Sequence, residues 1–235
     1  MLNSKHTLHY KVCYRMKYML KEEIEELIVT AESKYNFEQG YKLLYVPWKT
    51  IDLAKIAFIS LNPGEPPEDA DLRVISDENG NSYEEEMEVT KSPLTQQFLR
   101  LTDFMNVAPT SILTGAFCPF RGEKWEHFSK EQKEIGFEIG KKFWYPAIRK
   151  KEMKIIITLG HGEELLKTFT MPIVNELNAK KVKEIVIGNN WCKLRRFEEG
   201  SKTIIQLPHL SQFKIFTSKN SYSKEIEEIF EGLIY

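Results

Sequence analysis

The stretch KIAFISLNPGEPP, residues 55–67, decides how the rest of the chain is read. Its nearly continuous apolar run, Ile56 to Leu61, lacks polar alternation, the pattern of a short strand covered on both faces. The run stops on Asn62-Pro63-Gly64, after which the chain becomes polar and acidic. Pro63 and Gly64 are ordinary turn chemistry, and so is Asn-Pro-Gly taken alone. Asn62 adds a carboxamide at the carboxyl end of a buried strand, and its meaning depends on what the other strands end in.

Three more apolar runs have the same character: 110–119 (TSILTGAFCP), 154–160 (KIIITLG) and 202–207 (KTIIQL). Helical periodicity marks 21–36, 92–106, 129–150, 223–233 and the residues that follow the Gly-rich turn at 160–162. Ser92 reads as an N-cap with Pro93 in the first helical position. The stretch 184–197, EIVIGNNWCKLRRF, reads as a hairpin. Apolar strands separated by helices predict an α/β fold: three α/β/α layers around a central, mainly parallel, four-stranded sheet. The chain reads as a single domain over 1–235, with 1–50 a helical segment packed on it and 65–91 an acidic loop inserted after the first strand.

The 235 residues are 42% hydrophobic, enough for a substantial core. No apolar run reaches the roughly 20 residues that span a bilayer, and the first residues lack the apolar region of a signal peptide. A cytoplasmic monomer with no membrane partner is expected. The three cysteines, Cys13, Cys118 and Cys192, are far apart and form no CxxC, which argues against a disulfide framework or a four-thiolate cluster. His6, His9 and Cys13 have no second pair to complete a zinc site, so neither a metal nor a cofactor is expected. The net charge of −1 is unevenly spread: 65–88 is strongly acidic, while 178–184 and 190–202 are locally basic. Each run taken alone reads as a solvated face.

Open parallel sheets bind ligands at the carboxyl ends of their strands. There this chain places Asn62-Pro63-Gly64, Cys118-Pro119-Phe120-Arg121, Gly160-His161-Gly162 and Pro208-His209-Leu210-Ser211. Amide, imidazole and hydroxyl groups would meet on one edge, without an obvious strong nucleophile. GxSxG, GxxxxGK[ST] and GxGxxG patterns are absent, so serine-hydrolase, P-loop and dinucleotide-binding readings have no support.

At these positions the chain resembles the uracil-DNA glycosylase superfamily, in particular its mismatch-specific and single-strand-selective branches. Their first motif, G-(I/M)-N-P-G, is matched by SLNPG except that Ser60 stands in place of the leading glycine. Their HPS or NPS motif after the last strand is similar to His209-Leu210-Ser211. ILTGAFCPF falls where those enzymes have a strand ending near N-Y-C-P, and IIITLGHGEELL resembles their third strand and Gly-rich turn. The ordered set covers residues from about 55 to 216. One departure stands out: Ala116 occupies the place where the related enzymes read the uracil edge with an Asn, and a methyl group makes no such pair. Excision of a different base, reading of uracil by Thr114 or a shifted loop, and loss of glycosylase activity all remain open on that ground.

The chemistry suits the residues. Cleaving an N-glycosidic bond requires a positioned water and stabilisation of the departing base, and a protein nucleophile is not needed. Asn62 can orient the water through its carboxamide oxygen, and His209 can donate to a base oxygen as charge develops there. Pro63 and Gly64 would let backbone approach the base. A flipped-out base needs an aromatic face, for which Phe117, Phe120 and Tyr83 are the candidates, although both phenylalanines also suit a core. The resemblance implies DNA as the partner, contacted through Gly160, His161, Leu210, Ser211, Phe213 and Lys214, with Leu210 or Phe213 filling the vacated stack. The expected function is hydrolytic excision of uracil or another deaminated or damaged base from DNA. The alternative is an inactive nucleic-acid- or nucleotide-binding module on the same fold.

Overall fold

A computed structural model of the chain describes residues 20–66, 68, 70–160, 169–188, 192–217 and 222–233. Within them the elements run α1 (Lys21–Tyr35), β1 (Tyr41–Lys42), α2 (Thr50–Leu53), β2 (Ile56–Ser60), β3 (Arg73–Val74), α3 (Ser82–Val89), α4 (Pro93–Met105), β4 (Ile112–Ala116), α5 (Lys130–Arg149), β5 (Ile155–Leu159), α6 (Met171–Glu176), β6 (Lys180–Ile187), β7 (Cys192–Glu199), β8 (Lys202–Leu207) and α7 (Ser223–Ile229). Among the described residues no helix is long and apolar enough to cross a membrane.

The central sheet has the order β4-β2-β5-β8-β7-β6. β4, β2, β5 and β8 are mutually parallel and are the apolar runs expected as strands. The sheet is nevertheless six-stranded and mixed, because the hairpin β6–β7 joins it antiparallel along β8. A basic, half-exposed strand carries too little apolar signal to be read as part of the main sheet. Alternate residues of the parallel strands serve two separate cores. Ala57, Ile59, Leu113 and Ile156 pack with residues of α1, α5 and α6. Ile56, Phe58, Ile112 and Ile157 pack with residues of α3, α4 and α7. Burial on both faces explains the missing alternation in these strands.

Local signals hold where the helices start. Ser92 caps α4 by accepting from the Thr95 amide at 3.2 Å, with Pro93 following it. Ser129 caps α5 and accepts from the Gln132 amide at 3.2 Å. The expected acidic loop of 65–91 is different: it contains β3 and α3. Asn81 caps α3 by accepting from Tyr83 N at 3.0 Å, and Tyr83 is buried. The acidic run that follows is made of good helix formers as well as charges.

The strand β3 lies beside β1, and the segment 41–45 in turn lies beside β4. Tyr45 N donates to Thr114 O at 3.0 Å and Ala116 N to Leu43 O at 2.9 Å, so the outer edge of β4 is covered. Helix α5 closes on the chain just after β4 through two glycines one turn apart. A Cβ on Gly140 would lie 2.2 Å from the Phe117 carbonyl oxygen, and one on Gly136 would lie 2.4 Å from Cys118 Sγ. Gly140→Ala therefore forces helix and strand apart. It should lower unfolding free energy by about 1–3 kcal/mol and the melting temperature by roughly 2–4 °C for each kcal/mol. Denaturant and thermal unfolding check this, and an unchanged midpoint would show that α5 does not set the position of the 117–122 segment.

Candidate active site

β2 lies between β4 and β5, so the chain runs from β2 outward to β4 and then crosses back past β2 to β5, and such a reversal opens a crevice at the carboxyl ends of the strands. A cleft of about 770 Å³ lies there, and its lining includes Asn62, Pro63 and Gly64 after β2, Arg121 and Gly122 after β4, and His209 after β8. Lys42 and Tyr45 from the edge segment, Ser60 at the end of β2 and Tyr83 from α3 complete this wall. A second hollow of about 190 Å³, between α2 and α5, collects none of the residues singled out from the sequence.

Asn62 is held at its nitrogen end. Nδ2 donates to the Gly122 carbonyl at 3.1 Å, and because that partner only accepts, the carboxamide oxygen is the other end. Oδ1 accepts from none of the described residues. Pro63 is buried and Gly64 is exposed, with open space where a Cβ would stand.

His209 is held by its neighbours. Its Nδ1 lies 2.6 Å from Ser211 Oγ. Its carbonyl accepts from Gln212 N at 2.9 Å and from Phe213 N at 3.0 Å, closing a tight turn. The far end of the loop is clamped by Gln97, which accepts from Phe216 N and donates to Phe216 O, both at 2.8 Å. When the Ser211 hydroxyl donates to Nδ1, the neutral ring carries its proton on Nε2 and acts as a donor.

Several expectations for substrate-contacting residues are corrected by burial. Phe117 packs between Phe137 and Phe169, and Phe120 stacks on Phe37 with centroids 3.6 Å apart, so both are core and neither lines the cleft. Tyr83 alone of the three aromatic candidates lines it, edge-on to Tyr45 at 5.4 Å. Ala116 is buried on the face that holds Phe58, its carbonyl taking the Trp144 indole N–H at 2.8 Å, and Thr114 is buried on the same strand. Neither reaches the cleft, so the place expected to read a base edge lies elsewhere. Leu210 is 0% exposed and anchors the loop from within, which removes it as a wedge. Phe213 is half-buried against the same core, and Lys214 is exposed. Gly160 is buried and extends the β5–β8 ladder, its amide donating to Leu207 O at 2.9 Å. His161, Gly162 and the first-segment residues His6, His9 and Cys13 lie outside the described residues.

Other residues emerge only from the fold. The Tyr45 hydroxyl hydrogen-bonds with Ser60, and burial pushes it up to about 12. The Tyr83 hydroxyl is pushed well above its ordinary value by burial and has no hydrogen-bond partner among the described residues. Arg121 had a signal, since it follows directly on CPF. Lys42 and Tyr45 had none, because they arrive from a different part of the chain.

The charge of the cleft is negative. Glu65, Asp71, Asp77 and Glu78 from the segment after β2, Glu85 and Glu86 from α3, and Glu123 face it, against the cations Lys42 and Arg121. The basic runs supply no counterweight here. Arg195 is buried and donates to Glu184 at 2.7 Å and to Gln206 at 2.9 Å, while Lys193 lies 3.5 Å from Glu184. Arg196 donates to Glu198 at 2.7 Å and to the Glu231 carbonyl at 2.7 Å. These cations tie the hairpin and α7 to the sheet. Comparison with known proteins finds no family model that matches the chain and no match among curated proteins.

The hairpin pair has a pH signature. The hydrogen bond from Arg195, against the opposing effect of burial and with help from Lys181, holds the Glu184 carboxyl down at about 2. An unfolded glutamate titrates near 4.3, so the pair's stabilisation is present above about 4.3 and is lost as pH falls toward the folded value. Acidification from about pH 5 to about pH 3 should therefore cost the parent protein more stability than it costs Glu184→Gln. Urea unfolding at the two pH values measures the difference, and parallel losses would remove Glu184 as the titrating group.

Proposed function

We propose that the protein is an N-glycosyl hydrolase of the base-excision type on a uracil-DNA glycosylase-like, three-layer fold. It would remove uracil or another deaminated or damaged base from DNA or from one of its nucleotides. The observation that carries this reading is that Asn62 and His209, at the ends of the first and last parallel strands, line the same cleft. Each has one end fixed by a neighbour, which is what a positioning group requires.

In this mechanism the carboxamide oxygen of Asn62 accepts a hydrogen bond from a water and orients it toward C1′ of the sugar. The C1′–N bond breaks with its electron pair leaving on the base, and His209, oriented by Ser211, donates to the base oxygen where that charge collects. Water then adds to C1′ and its proton passes to solvent. Tyr83 offers the aromatic edge of the cleft, and the hydroxyls of Tyr45 and Ser60 offer polar contacts where the resemblance expected an Asn at 116. Among the described residues neither thiol competes as a nucleophile: both lie outside the cleft lining, and burial pushes Cys118 up to about 12 and Cys192 up to about 11.

Single-lesion oligonucleotides and the matching nucleotides, with released base measured by chromatography, test the reading. Asn62→Ala should slow single-turnover release about 100- to 1,000-fold while the protein stays folded. His209→Leu should reduce release far more than affinity for uncleaved substrate, because its bond strengthens as charge develops. A parent protein that releases no base from any substrate rejects the hydrolase. Binding without release would leave the nucleotide-binding module.

A further inference from the structure

Arg121 is 7% exposed, yet no carboxylate pairs with it among the described residues. Its Nε donates to the Leu72 carbonyl at 3.3 Å and its Nη2 to the Asp71 carbonyl at 3.2 Å. The nearby Asp71 carboxylate does not turn to it and accepts instead from the Arg73 amide at 3.1 Å. Nη1 takes no partner among the described residues. A guanidinium withdrawn from water onto neutral carbonyls is costly unless a counter-charge meets it.

A second cation stands beside it. Lys42 Nζ lies 3.5 Å from Asp77 and 5.4 Å from the centre of the Tyr45 ring. Burial lowers the Lys42 pKa, and the charge of Arg121 lowers it further, so the two like charges feel each other. Asp77 is shared, since it also accepts from Ser82 Oγ at 2.6 Å. Asn62 grips Gly122, the residue next to Arg121, so this pair adjoins the group assigned to the water.

We propose that Arg121 and Lys42 form an anion subsite of the cleft that takes the phosphate of a nucleotide whose base lies between Asn62 and His209. This deepens the base-excision reading and rests on it for the position of the base. The Arg121 fork offers its open nitrogen to a phosphate oxygen, and Lys42 adds a point charge. The carboxylates that face the same cleft repel an extended polyanion, so the phosphate belongs to a single nucleotide and not to an internal position of a strand.

Calorimetric titration of the full chain with 2′-deoxyuridine, 2′-deoxyinosine, their 5′-monophosphates, inorganic phosphate, and single-stranded oligonucleotides carrying the same bases tests this. One charge-assisted contact corresponds to about ten- to a hundredfold in affinity, so the monophosphates should bind tighter than the nucleosides by that factor. Inorganic phosphate should compete with the monophosphates. Lys42→Met and Arg121→Gln should abolish the preference while nucleoside affinity stays. Lys42→Met decides the matter if Arg121→Gln does not fold. Equal affinity for nucleoside and monophosphate, or a preference that survives Lys42→Met, overturns the subsite. An oligonucleotide that binds tighter than the monophosphate, and loses that advantage in Lys42→Met, keeps the subsite and overturns the single-nucleotide assignment. Base release is read separately: a Lys42-dependent phosphate preference without release rejects the hydrolase and supports the subsite.

Discussion

The chains leaving β2 and β4 remain hydrogen-bonded to each other after both strands have ended. Phe117 N donates to Ser60 O and Cys118 N to Leu61 O, both at 2.8 Å, and only then do the two segments part. Asn62 bridges them once more at Gly122. The cleft therefore opens from a rigid seam instead of from a pair of mobile loops, and the groups beside it are held to the geometry of the sheet. The same seam depends on α5, whose glycines allow Trp144 to reach the Ala116 carbonyl while the helix backbone lies against Phe117 and Cys118. Lengthening any one of these contacts moves Asn62, Gly122 and Arg121 together.

The cleft's charges follow from which cations the fold uses elsewhere. Most of the chain's basic clusters stand on the hairpin and are engaged with Glu184, Glu198 and the carbonyls beyond α7. Of the described cations only Lys42 and Arg121 line the cleft, and they do so behind carboxylates from α3 and the segment before it. A field of this kind favours a compact ligand with one negative group over a strand with many, because repulsion adds at every phosphate while attraction is confined to one place. A net charge of −1 hides this separation, since opposite charges on different faces cancel in the sum but not in the local potential.

The parallel strands are legible because burial on both faces leaves an unbroken apolar run, as in Ile155–Leu159, and α4 because its cap Ser92 stands in sequence beside what it caps. The strand ends that carry Asn62 and His209 are legible for the same reason, each lying within two residues of such a run. What failed were inferences about side-chain direction. Phe117 and Phe120 follow β4 immediately, but α5 and Phe37 receive them. Leu210 stands in a loop and still turns inward, because the Gln97 clamp on Phe216 holds the whole segment against α4 and α7. The acidic run at 83–89 reads as loop in sequence because its charges mask a helix that buries one aromatic, Tyr83. Lys42 and Tyr45 left no trace at all, being brought to the site by ladder bonds to Val74, Pro119 and Thr114 that no local pattern announces.

The closeness of Ser211 to His209, 2.6 Å from Oγ to Nδ1, invites a different chemistry, in which the serine attacks and the histidine takes its proton. The placement of the two residues argues against it. His209 lines the cleft and Ser211 is not among the residues that do. Two residues apart in one tight turn, they meet through local backbone geometry, and the hydroxyl serves to fix the ring and its tautomer. With the buried thiols of Cys118 and Cys192 held protonated as well, the proposed reaction takes its attacking group from solvent, with Asn62 as the group that would orient it. The described lining of this cleft carries no thiol, and its carboxylates already give it a negative field, so under the proposed hydrolysis a carboxamide at the end of the first parallel strand, which orients water without adding charge, carries weight.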